Sequence, residues 1–293
     1  MRTIYVPVTH PDDLEDCLDQ AIPLVQAFCG HLAVEFLRPD PRASIPFVGE
    51  GLTADVIQDL VEAAEREGRA RADQALAVFR ARMEEAEIAV VGDEVIHDLP
   101  TAAFSQAVGL IAERVGRLAR VHDLSVVPRP AGDHRPEAGE LFNETLFRSG
   151  RPVLLAPPDG GKRAHVGAEG VPWAHVVIGW NGRAEAARAV ADALPILARA
   201  AAVEIVTVGD EHPERPGAAL LARHLAHHGI RAEVVRIDGP GGVGEALLRH
   251  AGEAGADLIV LGAYSHSRWR EMIVGGVTRH VIHHSPVALF MSH

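Results

Sequence analysis

Gly262 and the run Gly275-Gly276-Val277-Thr278 are the residues of this chain whose spacing suits a phosphate. The β-branched and leucine run Asp257-Leu-Ile-Val-Leu261 reads as a strand that delivers the chain to Gly262. A backbone without a Cβ can turn sharply there and expose its N–H groups. The second glycine site would open a helix over Val277–His283, whose free amides and positive dipole end suit an anion. Inside the intervening AYSHSRWREMIV, His266, Ser267 and Arg268 supply an imidazole, a hydroxyl and a guanidinium that can face phosphate oxygens. The plainer alternative is that these glycines only turn the chain.

Other chemistries find less support in the sequence. His224, His227 and His228 share a helical face, and His280, His283 and His284 repeat the pattern, but no cysteine or carboxylate completes either set as a metal site. There is no G-x-S-x-G elbow, no P-loop ending in Gly-Lys-Ser/Thr, and no G-x-G-x-x-G after the first strand. Asp210 and Asp238 lie near strand ends, where acids can hold Mg2+. Cys17 and Cys29, the two cysteines, fit no metal spacing and read as reduced thiols. Trp173 reads as a packing residue.

The elements that must position the glycines recur. Ala21-Ile-Pro-Leu-Val25 and Ala193-Leu-Pro-Ile-Leu197 stand 172 residues apart. Asp123-Leu-Ser-Val-Val127 and Asp257-Leu-Ile-Val-Leu261 stand 134 apart, as do Arg151-Pro-Val-Leu-Leu155 and Ser285-Pro-Val-Ala-Leu289. Two constant offsets indicate an internal duplication, and their difference of 38 places an insertion in the first copy. The Pro/Gly-rich loop and long charged helical run at about 39–85 are its candidate, expected as an extended helix packing on the other repeat. Continuous apolar strands alternating with helices predict an α/β fold: two tandem five-stranded parallel-sheet domains with helices on both faces. The domains are expected at 1–158 and 172–293, joined by a glycine-rich linker.

Composition bounds the function. The 293 residues are 47% hydrophobic, enough for a substantial core, and no apolar run reaches the length of a membrane span. The amino-terminal segment turns acidic where a signal peptide stays apolar, which predicts a cytoplasmic protein with no membrane association. A net charge of −12 argues against nucleic acid as a partner.

The order of elements, with a glycine loop before the last helix and strand, resembles the universal stress protein family in both halves, and the fold it implies is adenine nucleotide alpha hydrolase-like. The nucleotide-binding branch carries G-x2-G-x9-G-[S/T], whose frame falls here on Gly262, Ser265, Gly275 and Gly276. Ser265 replaces the second glycine but keeps a hydroxyl for a phosphate, and Gly276 removes the final hydroxyl but keeps an N–H. Val277 follows in the same run, and Thr278 matches a position often hydroxylated in the family. The positions that meet the base or ribose fall on Asn181 and Val208. Asn181 precedes Gly182, so a turn role is its alternative. In the first copy the cradle positions hold Pro128, Ala131, Leu141 and Phe142, none of which can imitate it.

The resemblance therefore implies a stress-response regulator that binds ATP, with Mg2+ as a companion ion, in its second domain and hydrolyses it slowly at most. The first domain is implied to be structural, forming a pseudo-dimer with the second within the chain, with homodimerisation and an unknown protein partner also allowed. A dimeric interaction module that needs no nucleotide, both sites having decayed, is the alternative.

Overall fold

The structure, a computed structural model, describes residues 1–40, 53–92, 95–96, 98–130, 136–157, 173–239, 241–263 and 276–293. The first half runs β1 (Thr3–Val8), α1 (Pro11–Phe28), β2 (His31–Arg38), α2 (Ala54–Glu85), β3 (Ala89–Val90), β4 (Thr101–Val108), α3 (Ile111–Ala119), β5 (Leu124–Pro128), α4 (Pro136–Arg148) and β6 (Val153–Ala156). The second runs β7 (His175–Gly179), α5 (Ala184–Leu197), β8 (Ala202–Val208), α6 (Ala218–His227), β9 (Glu233–Ile237), α7 (Val243–Glu253), β10 (Leu258–Gly262), α8 (Gly276–His284) and β11 (Ala288–Ser292).

The strands form one sheet in the order β3-β4-β2-β1-β5-β6-β11-β10-β7-β8-β9. The first half orders its strands β4-β2-β1-β5-β6 and the second β9-β8-β7-β10-β11, which is the same sequence of crossovers, all parallel. Two differences from the sequence reading stand out. The two-residue β3 adds a sixth strand to the first half, parallel to β4. The halves also share one eleven-stranded sheet, because β6 pairs antiparallel with β11, with Leu154 opposite Phe290. Both strands are buried along their whole length, and each would otherwise present an apolar edge open to further pairing.

The duplication extends to side-chain chemistry. Asp123 accepts hydrogen bonds from the backbone N–H groups of Arg2 and Thr3 leading into β1. Asp257 does the same for Ala174 and His175 leading into β7, both at 3.1 Å. Burial would raise the Asp123 carboxyl, but these donors and nearby positive charge hold it below its ordinary range. Pro23 and Pro195, offset by 172, both lie inside their helices, α1 and α5.

The apolar faces of α1 and α5 share a core with Ile4, Leu154, Val260 and Phe290, so one layer of packing runs across both halves. Trp173 is wholly buried in this layer. At the same seam the Arg199 guanidinium lies 4.1 Å from the centre of the Phe28 ring and donates to the Ala27 carbonyl at 3.3 Å. On the opposite face, Phe142 and Leu146 pack with Val281, Ile282 and Val287. Cys17 is buried and Cys29 half-buried, both free thiols.

Among the described residues, the helical insertion packs chiefly on its own half, in place of the expected packing on the other repeat. Its buried residues Ala72, Ala75, Phe79 and Met83 recur at helical spacing, and α2 lies chiefly against α1, β2 and β4 of its own half. Arg82 binds Asp19 of α1 at 2.6 Å, and Gln26 donates to the Ala86 carbonyl at 3.0 Å. The reason is geometric: the insertion joins β2 to the neighbouring β4, on the side of the sheet away from the β6–β11 seam.

At the base of the second half, Glu204 of β8 bridges His175 of β7 and His250 of α7, each nitrogen 2.6 Å from a carboxylate oxygen. Burial raises the Glu204 carboxyl, and the hydrogen bonds and charge of the two imidazoles outweigh it, leaving it below the ordinary carboxylate value. A depressed folded value means the stabilisation is present above the unfolded value, near 4.3, and is lost as pH falls through the folded one. Glu204→Gln should therefore cost about 1–3 kcal/mol near neutrality. Urea titrations at stepped pH should show the gap from wild type shrinking below about pH 4; a gap constant with pH would contradict this role.

Candidate functional site

In the second half the chain leaves β7 for β8 on one side, whereas β10 lies on the other. Between β7 and β10 the order reverses, and ligands of open α/β sheets bind outside the carboxyl ends of strands at such a point. The register brings the candidate residues there. Leu261 pairs with Gly179 and Gly179 with Val206, so Gly262, Trp180 and Thr207 stand abreast, with Asn181 and Val208 one step further out. From the β10 end to the β8 end is two strand spacings, about 10 Å, the width of a nucleoside.

Gly262 has a reason to be glycine that needs no phosphate. A Cβ built on it would lie 2.3 Å from the Ala186 nitrogen and 2.6 Å from the Glu185 carbonyl carbon, both backbone atoms at the start of α5. Helix and strand meet there too closely for any side chain. The small residues Ala184 and Ala186 at the start of α5 are the sequence signal of this approach.

Asn181 is exposed, and its Oδ1 accepts from the Arg183 backbone N–H at 3.0 Å, closing an Asx-type turn into α5. Gly182 follows with φ +68°, and a Cβ there would meet the Arg215 side chain and the Pro216 carbonyl at 2.8 and 2.9 Å. The turn role therefore holds, and it leaves the amide Nδ2 of Asn181 to point a donor elsewhere. Sequence reasoning missed the wall beside it. The Trp180 indole N–H donates to the Pro216 carbonyl at 2.9 Å, and Glu211 accepts from the Ala218 backbone N–H at 2.7 Å, so the segment between β8 and α6 folds back over the end of β7.

Val208 is half-buried and leans on Gly239, where a Cβ would sit 2.8 Å from its Cγ1. The next described element after β10, α8, begins at Gly276. Gly276 and Val277 are exposed, Thr278 is half-buried, and a Cβ on Gly276 would meet no other group. Ser265, His266, Arg268 and Gly275 lie outside the described residues.

The acids that sequence suggested for Mg2+ do not gather. Asp210 is bound to Arg236, and Asp238 is exposed. Among the described residues no cluster of three or more histidine, cysteine or acidic side chains could hold a metal ion. Members of the two histidine sets pair with each other, His280 stacked on His284 at 4.3 Å and His224 edge-on to His228 at 4.8 Å.

The corresponding place in the first half is built differently. Pro128 ends β5 opposite Ala156. Leu141 and Phe142 lie well inside α4, which begins at Pro136, and both are buried, Leu141 against Tyr5, Ile111 and Val115. No helix N-terminus opens at that position. Ala131 lies outside the described residues. Below, Tyr5 donates to Glu35 at 2.5 Å and Arg114 binds the other Glu35 oxygen at 2.5 Å. This buried polar group stands where the second half has Val177 and Val206.

The model of the universal stress protein family matches residues 172–293. No curated protein matches the chain. A universal stress protein from Archaeoglobus fulgidus DSM 4304 is 18% identical, with a TM-score of 0.63 over 99% of this chain and 96% of its own. A protein of Pseudomonas aeruginosa PAO1 is 14% identical, with a TM-score of 0.53 over 100% of this chain and 92% of its own. At these identities the likeness is one of fold. No described helix is long and apolar enough to cross a membrane. Residues 172–293 thus match the universal stress protein family, and the chain as a whole shares the fold of the Archaeoglobus fulgidus universal stress protein.

Proposed function

We propose that this protein is a cytoplasmic stress-response regulator that binds one adenine nucleotide, ATP, in a domain spanning 172–293. The observation that supports the reading is the placing of Asn181 and Val208 just past the carboxyl ends of β7 and β8, beside the switch point between β7 and β10, with α8 as the next described helix after β10. Val208 offers an apolar face to the base, and the Asn181 amide a donor to base or ribose. Backbone N–H groups at Gly276, Val277 and Thr278 face the phosphates, with the Thr278 hydroxyl beside them. In this reading Ser265, His266, Arg268 and Gly275 complete the cradle. Mg2+ arrives with the phosphates, since Asp210 is already bound to Arg236. The domain at 1–158 acts as a structural twin, making the chain a pseudo-dimer through β6 and β11.

A nucleotide-independent interaction module is the competing reading, and the packing reason for Gly262 favours it. Calorimetric titration with ATP separates the two. Gly276→Asp places a carboxylate at a helix start, where it suits the fold, on a position with no neighbour to disturb. Wild type should bind ATP, and the variant should bind at least about tenfold more weakly at unchanged Tm. Wild type with no detectable binding, or two equal affinities, would leave the interaction module as the function.

A further inference from the structure

We propose that the outer edge of β4 pairs antiparallel with the same edge of a second copy of this chain, joining two sheets into one. Each half of the sheet has two edges, and charge sorts them. β6 (VLLA) and β11 (ALFMS) carry no charged residue and pair with each other. β9 (EVVRI) closes the sheet of the second half with Glu233 and Arg236 exposed along it, the kind of charge that keeps an edge from further pairing. β4 (TAAFSQAV) has neither charge nor proline along its 8 residues. β3 pairs with it only at Thr101 and Ala102, and beyond them Ser105, Gln106 and Val108 are exposed.

The backbone fixes a register. The N–H groups of Thr101 and Gly109 donate to the Gly30 and Arg38 carbonyls, so the odd-numbered residues of β4 bond toward β2. Even-numbered residues therefore face outward, and the Ala102 carbonyl already accepts from Val91. Phe104, Gln106 and Val108 are left with N–H and C=O groups directed off the sheet. Two such strands related by a twofold axis engage all of these groups in one antiparallel register, with Gln106 opposite Gln106 and Phe104 opposite Val108, each pair exchanging both hydrogen bonds. The side chains suit it. Phe104 is half-buried, its ring centre 5.3 Å from that of Phe79 in α2, and would meet the Val108 methyls of the second copy. The two Gln106 amides, each donor and acceptor, complement one another. Gly109, with φ +144°, turns the chain off the line of β4, so the second copy's strand stops short of β3.

Charge and symmetry select a second copy as the occupant. A chain of net charge −12 repels its own copies over most of its surface, so self-association needs a neutral contact. The β4 edge supplies one, and its twofold register is satisfied by its own sequence. Apolar surface gathers beside it: Val90, Val95, Ile96, Leu99, Val108 and Leu110, in β3, β4 and the segments next to them, are all exposed. Their burial would add area that strand pairing alone does not provide. The nucleotide reading is independent of this contact, because the switch point between β7 and β10 lies across the sheet from β4.

The test is sedimentation velocity of the full chain without nucleotide, over a dilution series through the micromolar range. Wild type should sediment as a dimer that dissociates on dilution. Gln106→Pro removes an outward N–H, leaves every bond to β2 in place, and sits where an edge strand tolerates proline. Gln106→Lys sets two ammonium groups opposite each other. Each variant should weaken dimerisation by at least about tenfold. Cysteine placement reads the register, with wild type as the control for Cys17 and Cys29. Gln106→Cys should form a covalent dimer on mild oxidation, since opposed Cα atoms stand about 5.5 Å apart, within disulfide reach. Val108→Cys should not, because its counterpart lies four residues along, roughly 13 Å away. The proposal is overturned if wild type is monomeric throughout, if the proline and lysine variants dimerise like wild type, or if the two cysteine variants cross-link alike. ATP titration reads the other site separately, so either proposal can fail alone.

Discussion

Gly262→Val should unfold the second half, and even Gly262→Ala should weaken it severely. The Cβ would stand 2.3 Å from the Ala186 nitrogen, inside any real contact distance, and the colliding atoms are backbone at the start of α5. Neither side can yield cheaply. Gly262 is held in β10 opposite Ser292, and the α5 start is fixed by the Asn181 turn and by the packing of Ala186 and Ala189 in the core. Overpacking against a rigid backbone puts the loss above about 3 kcal/mol. Gly276→Ala, with nothing near its Cβ position, should stay within about 0.5 kcal/mol of wild type. Chemical denaturation of Gly262→Ala and Gly276→Ala beside wild type checks both figures. Similar stabilities for all three proteins would remove the packing account of Gly262.

Arg129→Ala is expected to separate the two halves energetically. Arg129 follows β5 of the first half, is buried, and donates to the Ser285 and Val287 carbonyls of the second. Burial draws its pKa down to about 10, so the guanidinium still carries its charge near neutrality. Truncation strips the Ser285 carbonyl of its donor, leaves the Val287 carbonyl only the Ser285 hydroxyl, and opens a cavity the size of a long side chain, together about 2–4 kcal/mol. Donor and acceptors belong to different halves, so the loss falls on their coupling. Differential scanning calorimetry should show a lower first transition that begins to split into two, with the β6–β11 pairing and the shared apolar cores left as the ties. A single transition at the wild-type temperature would contradict this.

The fold was legible because its signals are local and repeated. The proline-bearing helices, the Asp-Leu strands and the apolar runs each announce an element by its own residues, and the offsets of 172 and 134 order them. The excess of the β2–β4 connection, residues 39–100, over the β8–β9 connection, residues 209–232, is the 38 residues by which those offsets differ. What sequence could not supply were contacts between distant segments. Nothing in the composition of α2 says which sheet face or which half receives Phe79 and Met83. Arg129 looks like any loop arginine until β11 is placed beside β6. Gly262 reads as a phosphate glycine when the first half, with Pro128, is used as a control. That control was incomplete, because the two halves differ in how closely their first helix approaches the strand. Asn181 carried both of its readings from the start, and the Arg183 hydrogen bond establishes the turn without removing the amide donor.

Hydrogen–deuterium exchange of the full chain with and without ATP tests whether a single nucleotide site is confined to the second half. Exchange should slow at the ends of β7 and β8, around Asn181 and Val208, and at the start of α8 from Gly276 to Thr278, with no change at the carboxyl ends of β1 and β2. Protection in the first half alone, or none anywhere at saturating ATP, would contradict it.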